Sequence, residues 1–219
     1  MKNIIKKLTP QIILNFYRFL KIKVKEKIFF FKLTTFSLIK KDIKLIIGSG
    51  NTSFIDWLSS DYPWFDITNS ESIHKYFKFK KIDKVLAEHV FEHLTLEDGI
   101  KSIKNIKRVL KVNGIIRIAV PDGFNPNKHF IDYVKPNGSG PGAEDHKILY
   151  NYISIKKLFD EDFSLNFLEF FDENGKFKSI DWLNNSQIGY IKRSRFEDKR
   201  NNQNEINFNS IILDAKLIK

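Results

Sequence analysis

Between residues 42 and 120 the hydrophobic positions follow two periods in turn. Asp42-Ile-Lys-Leu-Ile-Ile47 is a short β-branched run that stops at Gly48-Ser49-Gly50-Asn51, which predicts a strand ending in a tight turn. Trp57-Leu-Ser-Ser-Asp61 predicts a second short strand ending in a carboxylate, and residues 82–87 predict a third that runs straight into Glu88-His-Val-Phe-Glu-His93. From residue 96 to 110 the period lengthens to that of a helix, with Ile100, Ile103, Ile106, Val109 and Leu110 on one face. Asn113-Gly114 follows, and Gly114 is suited to the position just past a helix end. Residues 115–120 form a further apolar strand closed by Pro121-Asp122-Gly123. Strand, loop, helix, Asn-Gly and strand make a βαβ crossover, which implies a parallel sheet.

Beyond this unit, residues 153–163 read as a helix and 165–170 as a strand. Asp172-Glu-Asn-Gly175 reads as a turn between strands, and residues 208–216 as a last strand able to lie at an edge. Before the unit, the stretch after Pro10 mixes apolar residues with lysine, and Ile12, Ile13, Phe16, Leu20 and Val24 can share a helix face. No window there holds the ~18 uncharged apolar residues of a membrane span. Arg18 breaks the apolar stretch, and no small-residue cleavage site follows, so a secretory signal is not expected. The expected organisation is a helical arm over residues 1–41 and one α/β domain over residues 42–219.

Charge sharpens this division. The formal net charge is +11, yet residues 1–44 hold twelve Lys and Arg against only Glu26 and Asp42, leaving the remaining body close to neutral. The basic character belongs to the arm. Three roles for it stay open: a helix covering one edge of the core, contact with an anionic membrane surface, and, least expected, contact with nucleic acid. The chain has no cysteine, which excludes disulfides, thiolate metal sites and cysteine nucleophiles. A cytoplasmic setting is expected, with the arm able to place the protein at the periphery of the inner membrane.

Candidate chemistry lies at the ends of the expected strands. Glycines at 48 and 50 let a ligand approach the backbone, whereas Ser53 occupies the third glycine position of G-x-G-x-x-G and argues against a pyrophosphate cofactor. Asp61 is placed to accept hydrogen bonds from ribose hydroxyls. Asp66 either lies near an adenine or caps a turn before Ser70-Glu71. His89 to His93 spells H-x-x-E-H, a zinc-peptidase signature that belongs inside a long helix. Here it starts just after a strand, so no metal site is expected from it. The Gly/Pro-rich residues 135–146 read as a lid or acceptor loop. His146 is the candidate base, oriented by Asp122 or Asp145, with Tyr150 or Tyr152 lining an acceptor pocket. The bland alternatives are a turn cap for Asp122 and helix caps for Asp145 and His146. Lys192, Arg193, Arg195, Lys199 and Arg200 could meet an anionic acceptor or could simply be solvated.

Taken together, Ile-Ile-Gly-Ser-Gly-Asn, Ser-Ser-Asp, Leu-Ala-Glu-His-Val-Phe-Glu-His-Leu-Thr and Arg-Val-Leu-Lys-Val-Asn-Gly-Ile-Ile-Arg-Ile-Ala-Val-Pro-Asp-Gly resemble the class I S-adenosylmethionine-dependent methyltransferases. More narrowly, they resemble a group of small bacterial predicted methyltransferases (methyltransferase type 11-like). The resemblance spans roughly residues 43–216 and includes Gly138-Ser-Gly-Pro-Gly-Ala-Glu-Asp-His146. It implies a doubly wound, Rossmann-like, mostly parallel seven-stranded sheet with helices on both faces and an antiparallel last strand. It implies S-adenosyl-L-methionine as cofactor, with Gly48, Ser49 and Gly50 under its carboxypropyl end, Asp61 at its ribose, Asp66 near its adenine, and Glu88 and His89 beside its methionine part. It also implies a small-molecule or glycan-linked acceptor methylated on oxygen or nitrogen. Ile46 stands where most such enzymes carry an acid, and Thr52 replaces a glycine. The alternative is therefore a cofactor-binding module of the same fold without turnover.

Overall fold

The computed structural model describes residues 11–182, 189–201 and 207–219. Seven strands, β1 (Lys44–Ile47), β2 (Leu58–Ser59), β3 (Ile82–Glu88), β4 (Leu110–Pro121), β5 (Phe163–Phe171), β6 (Phe177–Ser179) and β7 (Ser210–Leu217), form one sheet in the order β2-β1-β3-β4-β7-β5-β6. The helices are α1 (Gln11–Ile39), α2 (Ser70–Phe77), α3 (Leu96–Val109) and α4 (Lys128–Val134). Pairings from β2 through β4 are parallel, and those of β7 with β4 and β5 and of β5 with β6 are antiparallel. The expected seven-stranded α/β sheet is present, although only half of its pairings are parallel. The last strand is interior rather than at an edge, because β7 slots between β4 and β5.

Two features fix where a ligand can enter. β1 pairs with β2 on one side and β3 on the other, so the strand order reverses between β1 and β3. Open α/β sheets bind ligands in the crevice outside the carboxyl ends of strands at such a reversal. The register Ile47–Ala87–Ile118–Leu213 aligns β1, β3, β4 and β7, so the carboxyl ends of β1 and β3 lie side by side.

Alternation along the strands produces two cores. On one face Leu45, Ile47, Val85, Ala87, Ile116 and Ile118 pack with Ile73 and Phe77 of α2 and with Ile103 and Ile106 of α3. On the other, Ile46, Leu86, Ala119, Leu168 and Ile212 pack with Trp57 and Ile191 and are flanked by Phe54 and Trp182. Among the described residues this second cover is irregular chain. It is anchored by Arg117, whose guanidinium pairs with Asp214, donates to the Gly189 carbonyl at 2.8 Å and lies over the Trp182 ring at 5.0 Å.

α1 covers the β2 edge of the sheet. Phe29 and Leu33 are buried in the larger core, and the Phe29 ring meets Trp64, Phe65, Tyr76 and Phe77 with centroids 4.9–6.3 Å apart. The earlier turns instead leave Phe16, Tyr17, Phe19, Leu20 and Val24 exposed. No helix among the described residues is long and apolar enough to cross a membrane.

Three local expectations are corrected. α3 ends at Val109, and Leu110 already pairs with Ile82 in the sheet, so Gly114 lies within β4 rather than past a helix end. Its missing side chain still matters, since a Cβ there would fall 2.8 Å from the Lys111 carbonyl oxygen. Residues 153–163 form only a short 3₁₀ turn, Ser154–Leu158. Asn151 Oδ1 accepts from the Ile153 and Ser154 amides, and Asp160 Oδ1 from the Asp162 amide, so side chains satisfy the backbone in place of a helix. β2 shrinks to two residues, and Ser60 and Asp61 lie beyond it.

Candidate active site

The turn after β1 has the conformation its glycines allow. Gly48 and Gly50 have φ of +62° and +53°, and the turn is tied to β2 by the Ser49 amide donating to the Ser60 carbonyl at 2.9 Å. Asp61, at the end of β2, accepts from the Gly50 amide at 3.1 Å, and burial raises its pKa. Ser49, Gly50 and Asp61 line a cavity of 280 Å³ to which α1 contributes Lys25 and Lys32.

At the end of β3 the chain turns sharply. His89 takes a left-handed φ of +54°, a conformation rare for a residue with a Cβ and one that clusters at functional sites. Its amide donates to the Ala119 carbonyl at 2.8 Å, Nε2 lies 3.0 Å from Ser210 Oγ, and Nδ1 lies 3.1 Å from Glu92 Oε1. The H-x-x-E-H stretch is therefore no helix: only Phe91–His93 makes a 3₁₀ turn. Glu88 is mostly buried, which raises its pKa, and its Oε1 accepts from the Arg193 amide at 2.7 Å.

These elements enclose two cavities that share Ile47, Gly48, His89 and His93. One, of 320 Å³, is also lined by Ser49, Glu88, His146, Lys192 and Arg193. The other, of 460 Å³, is lined by Tyr62, Phe65, Asp66 and Asp145. Asp66 lines it while folded into an Asx turn, its Oδ1 accepting from the Thr68 amide and hydroxyl at 2.9 and 2.7 Å. Of the expected cofactor residues, Gly48, Ser49, Glu88 and His89 line the 320 Å³ cavity, Gly48, Asp66 and His89 the 460 Å³ cavity, and Ser49, Gly50 and Asp61 the 280 Å³ cavity beside α1.

The expected catalytic trio does not assemble. His146 Nδ1 lies 2.7 Å from the carbonyl oxygen of Val134, so the carbonyl, not a carboxylate, orients the ring and leaves Nε2 with its lone pair. Asp122 is fully buried and lines none of these three cavities. It accepts from the Phe124 and Phe171 amides and from Asn209 Nδ2, at 3.0, 2.6 and 3.2 Å, so its role is to clamp β5 to the end of β4. Asp145 is exposed and approaches His93 Nδ1 at 3.5 Å rather than His146. Tyr150 is buried in the core, and Tyr152 bonds Glu173 at 2.5 Å, so neither lines these three cavities. The loop before His146 is ordered against α4 by the Ser139 and Gly140 amides, which donate to the Asp132 and Tyr133 carbonyls at 3.1 and 2.9 Å. It forms a wall of the 320 Å³ cavity through Pro141 and Gly142.

The sequence leaves Lys192 and Arg193 open between an anionic acceptor and solvent; Lys192 Nζ donates to Thr52 Oγ1 at 2.9 Å across the glycine turn, and both residues line the cavity. Glu92 and His93 stand in the sequence within the zinc-peptidase spelling from which no metal site is expected, with His93 otherwise read as a side chain pinning a loop. Ile46, at the position where an acid is usual, faces the second core with Trp57 and Leu86.

No known family profile matches the chain, and no curated protein matches it. Solved structures do. The plantazolicin methyltransferase BamL, in complex with a triazolic desmethylPZN analog and SAH, is 15% identical, with a TM-score of 0.51 over 89% of this chain and 85% of its own. A SAM-dependent methyltransferase from Archaeoglobus fulgidus is 16% identical, with a TM-score of 0.44 over 89% and 94%. A SAM-dependent methyltransferase from Thermotoga maritima, described as a possible histamine N-methyltransferase, is 12% identical, with a TM-score of 0.45 over 94% and 96%. With its strand-order reversal and glycine turn, the chain has the fold of the class I S-adenosylmethionine-dependent methyltransferases.

Proposed function

We propose that this chain transfers the methyl group of S-adenosylmethionine to an oxygen or nitrogen of a small-molecule acceptor. The observation that carries the proposal is that Gly48, Glu88 and His89 line the cavities at the strand-order reversal, while Asp61, bonded to the Gly50 amide, lines the adjoining 280 Å³ cavity that shares Ser49 with the first. The residues suit the cofactor. A Cβ on Gly50 would meet nothing within 4 Å, so the turn opens on free space, and Asp61 offers a carboxylate beside it. Asp61 would hold the ribose hydroxyls. Tyr62, Phe65 and Asp66 would face the adenine. Lys192 and Arg193 would meet the carboxylate of the amino-acid end, with Glu88 near its ammonium.

Bound there, the cofactor supplies an electrophilic methyl group on a sulfonium. The protein's share is to align the acceptor for in-line attack and to handle a proton if the acceptor is a hydroxyl. That second task falls to His146, whose Nε2 lone pair is left free by the Val134 carbonyl and whose ring lies 4.7 Å from that of His93. The sequential division into arm and domain also carries a proposal: the exposed turns of α1 touch an anionic membrane surface, while Phe29 and Leu33 hold the helix on the domain.

Thermal unfolding in the presence of S-adenosylhomocysteine tests the cofactor site. Ligand at ~100 times its Kd adds about 2.7 kcal/mol, or roughly 5–10 °C for a domain of this size. A saturable rise supports the proposal, and a flat response at millimolar ligand sinks it.

A further inference from the structure

We propose that Glu92, His93 and His146 bind a divalent first-row metal ion of zinc-like chemistry, with an open coordination position toward the 320 Å³ cavity. One carboxylate oxygen of Glu92 and one ring nitrogen of each histidine lie within 4.8 Å of one another. Donors about 2.1 Å from a tetrahedral zinc are about 3.4 Å apart, so the side chains need only draw together around the ion.

The chief observation is the state of Glu92. It is 1% exposed, and neither of its carboxylate oxygens has a hydrogen-bond partner. His89 Nδ1, 3.1 Å from Oε1, is close enough for an ion pair but makes no hydrogen bond to it. Buried carboxylates are ordinarily paired or bound to metal, and this one faces two more nitrogen donors. His93 Nδ1 is likewise buried without a hydrogen bond, its nearest carboxylate being Asp145 at 3.5 Å. His146 is held as metal-binding imidazoles are: Nδ1 donates to a backbone carbonyl, which fixes the tautomer and presents Nε2.

The scaffold is rigid where a site needs it to be. The Lys147 and Ile148 amides both donate to the Glu92 carbonyl, at 2.7 and 3.2 Å, joining the segment that carries Glu92 and His93 to the one that carries His146. Two imidazoles and one carboxylate are a donor set for zinc and its neighbours that leaves a position open. This is not the peptidase arrangement, for Glu92 acts as a ligand rather than a base and His89 is engaged with Ser210. Since His93 and His146 also line the cavity with Gly48 and His89, the open position would take a hydroxyl or carboxylate oxygen of the acceptor. In that arrangement the Nε2 lone pair of His146 is committed to the ion, so His146 would not itself take the proton, and the ion would instead lower the pKa of an acceptor hydroxyl bound at the open position. The acceptor role rests on the proposed methyl transfer, whereas metal binding does not.

The test uses the untagged, full-length chain, stripped with a chelator and titrated with Co²⁺ while visible absorption and bound metal are followed. One equivalent per chain is expected, with the d–d bands of a four- or five-coordinate site that Zn²⁺ then bleaches. His93→Ala and His146→Ala should each weaken binding by at least ~100-fold, since even outer partners of metal ligands are worth ~10–100-fold, with unchanged far-ultraviolet circular dichroism. Glu92→Gln, of the same shape, should do likewise. Absence of stoichiometric Co²⁺ or Zn²⁺ binding, or binding untouched by the two histidine variants, overturns the site. If metal fails while S-adenosylhomocysteine still raises the unfolding temperature, the site falls and methyl transfer stands. If metal binds without any such rise, the site stands and its acceptor role falls.

Discussion

A Cβ built on Gly48 would lie 2.5 Å from Val90 Cγ2, so the turn after β1 and the loop after β3 touch with no room for a side chain between them. Val90 is β-branched and stiff about χ1, and Gly48 sits at φ +62°, so alanine there is opposed by both neighbour and backbone. Gly48→Ala should push the His89 loop away from β1. Calorimetric titration should find S-adenosylhomocysteine binding weakened by at least tenfold in a folded protein, and wild-type affinity would mean the turn does not contact the ligand.

Asp61 accepts from the Gly50 amide in a pocket that raises its pKa through burial. Its carboxylate is expected to gain bonds from ribose hydroxyls. A hydrogen bond to a charged group contributes about 1.5–3 kcal/mol, so Asp61→Asn should weaken S-adenosylhomocysteine by roughly 10- to 150-fold. Equal binding by the variant at pH 7.5 would remove Asp61 from the site.

Arg117 is 2% exposed and pairs with Asp214 through two bonds of 2.7 Å. Removing one partner of a buried pair leaves the other uncompensated and costs about 3–5 kcal/mol. Arg117→Met should lower the urea midpoint accordingly. Because Arg117 also holds the Gly189 carbonyl and Trp182, limited proteolysis should cut near them in the folded variant. A change under 1 kcal/mol with no new cleavage would show that the clamp is dispensable.

Asp122 is pushed up to about 6 from its ordinary 3.8 by burial, against the pull of the Phe171 and Phe124 amides and Asn209. Between those two values the folded chain holds more protons at this site than the unfolded chain does. The contribution is therefore full below pH 3.8 and is lost as pH rises through about 6. Denaturant unfolding at a series of pH values should show stability of the wild type falling across this interval relative to Asp122→Asn. A difference independent of pH would contradict the shift.

The first half of α1 carries exposed Phe16, Tyr17, Phe19 and Leu20 among Arg18, Lys21 and Lys23. Sedimentation with vesicles rich in phosphatidylserine should carry the full chain down at low salt and release it at high salt, and deletion of residues 1–24 should abolish this. Equal pelleting with neutral vesicles would argue against the charge-assisted contact.

Local pattern made much of the framework legible. β1, β3 and the interior of β4 stand out as β-branched runs, and α3 as a helical period from residue 96 onward. The glycine turn and the carboxylates after β2 and β3 could be placed at one end of a parallel sheet, because the direction of the strands follows from the crossover between them. The 3₁₀ turn at Ser154–Leu158 was not legible as such, since Asn151 and Asp160 compete for the backbone at both ends of an apolar run that otherwise reads as helix.

The amino-acid sequence by itself thus determined the strand and helix propensities, the turn chemistry at Gly48 and Gly50 and the concentration of charge in the arm, all of which depend on neighbours within a few residues. Tertiary structure alone decided which side chains meet. Lys192 reaches Thr52, His89 reaches Ser210, and Glu92 faces His146, each across a separation that no local period encodes. It also turned Asp122 from a candidate catalytic carboxylate into a clamp and gave His146 a carbonyl for its partner. The physical reason is that burial and hydrogen-bond satisfaction are set by the packing of distant segments, and these assign each polar group its role.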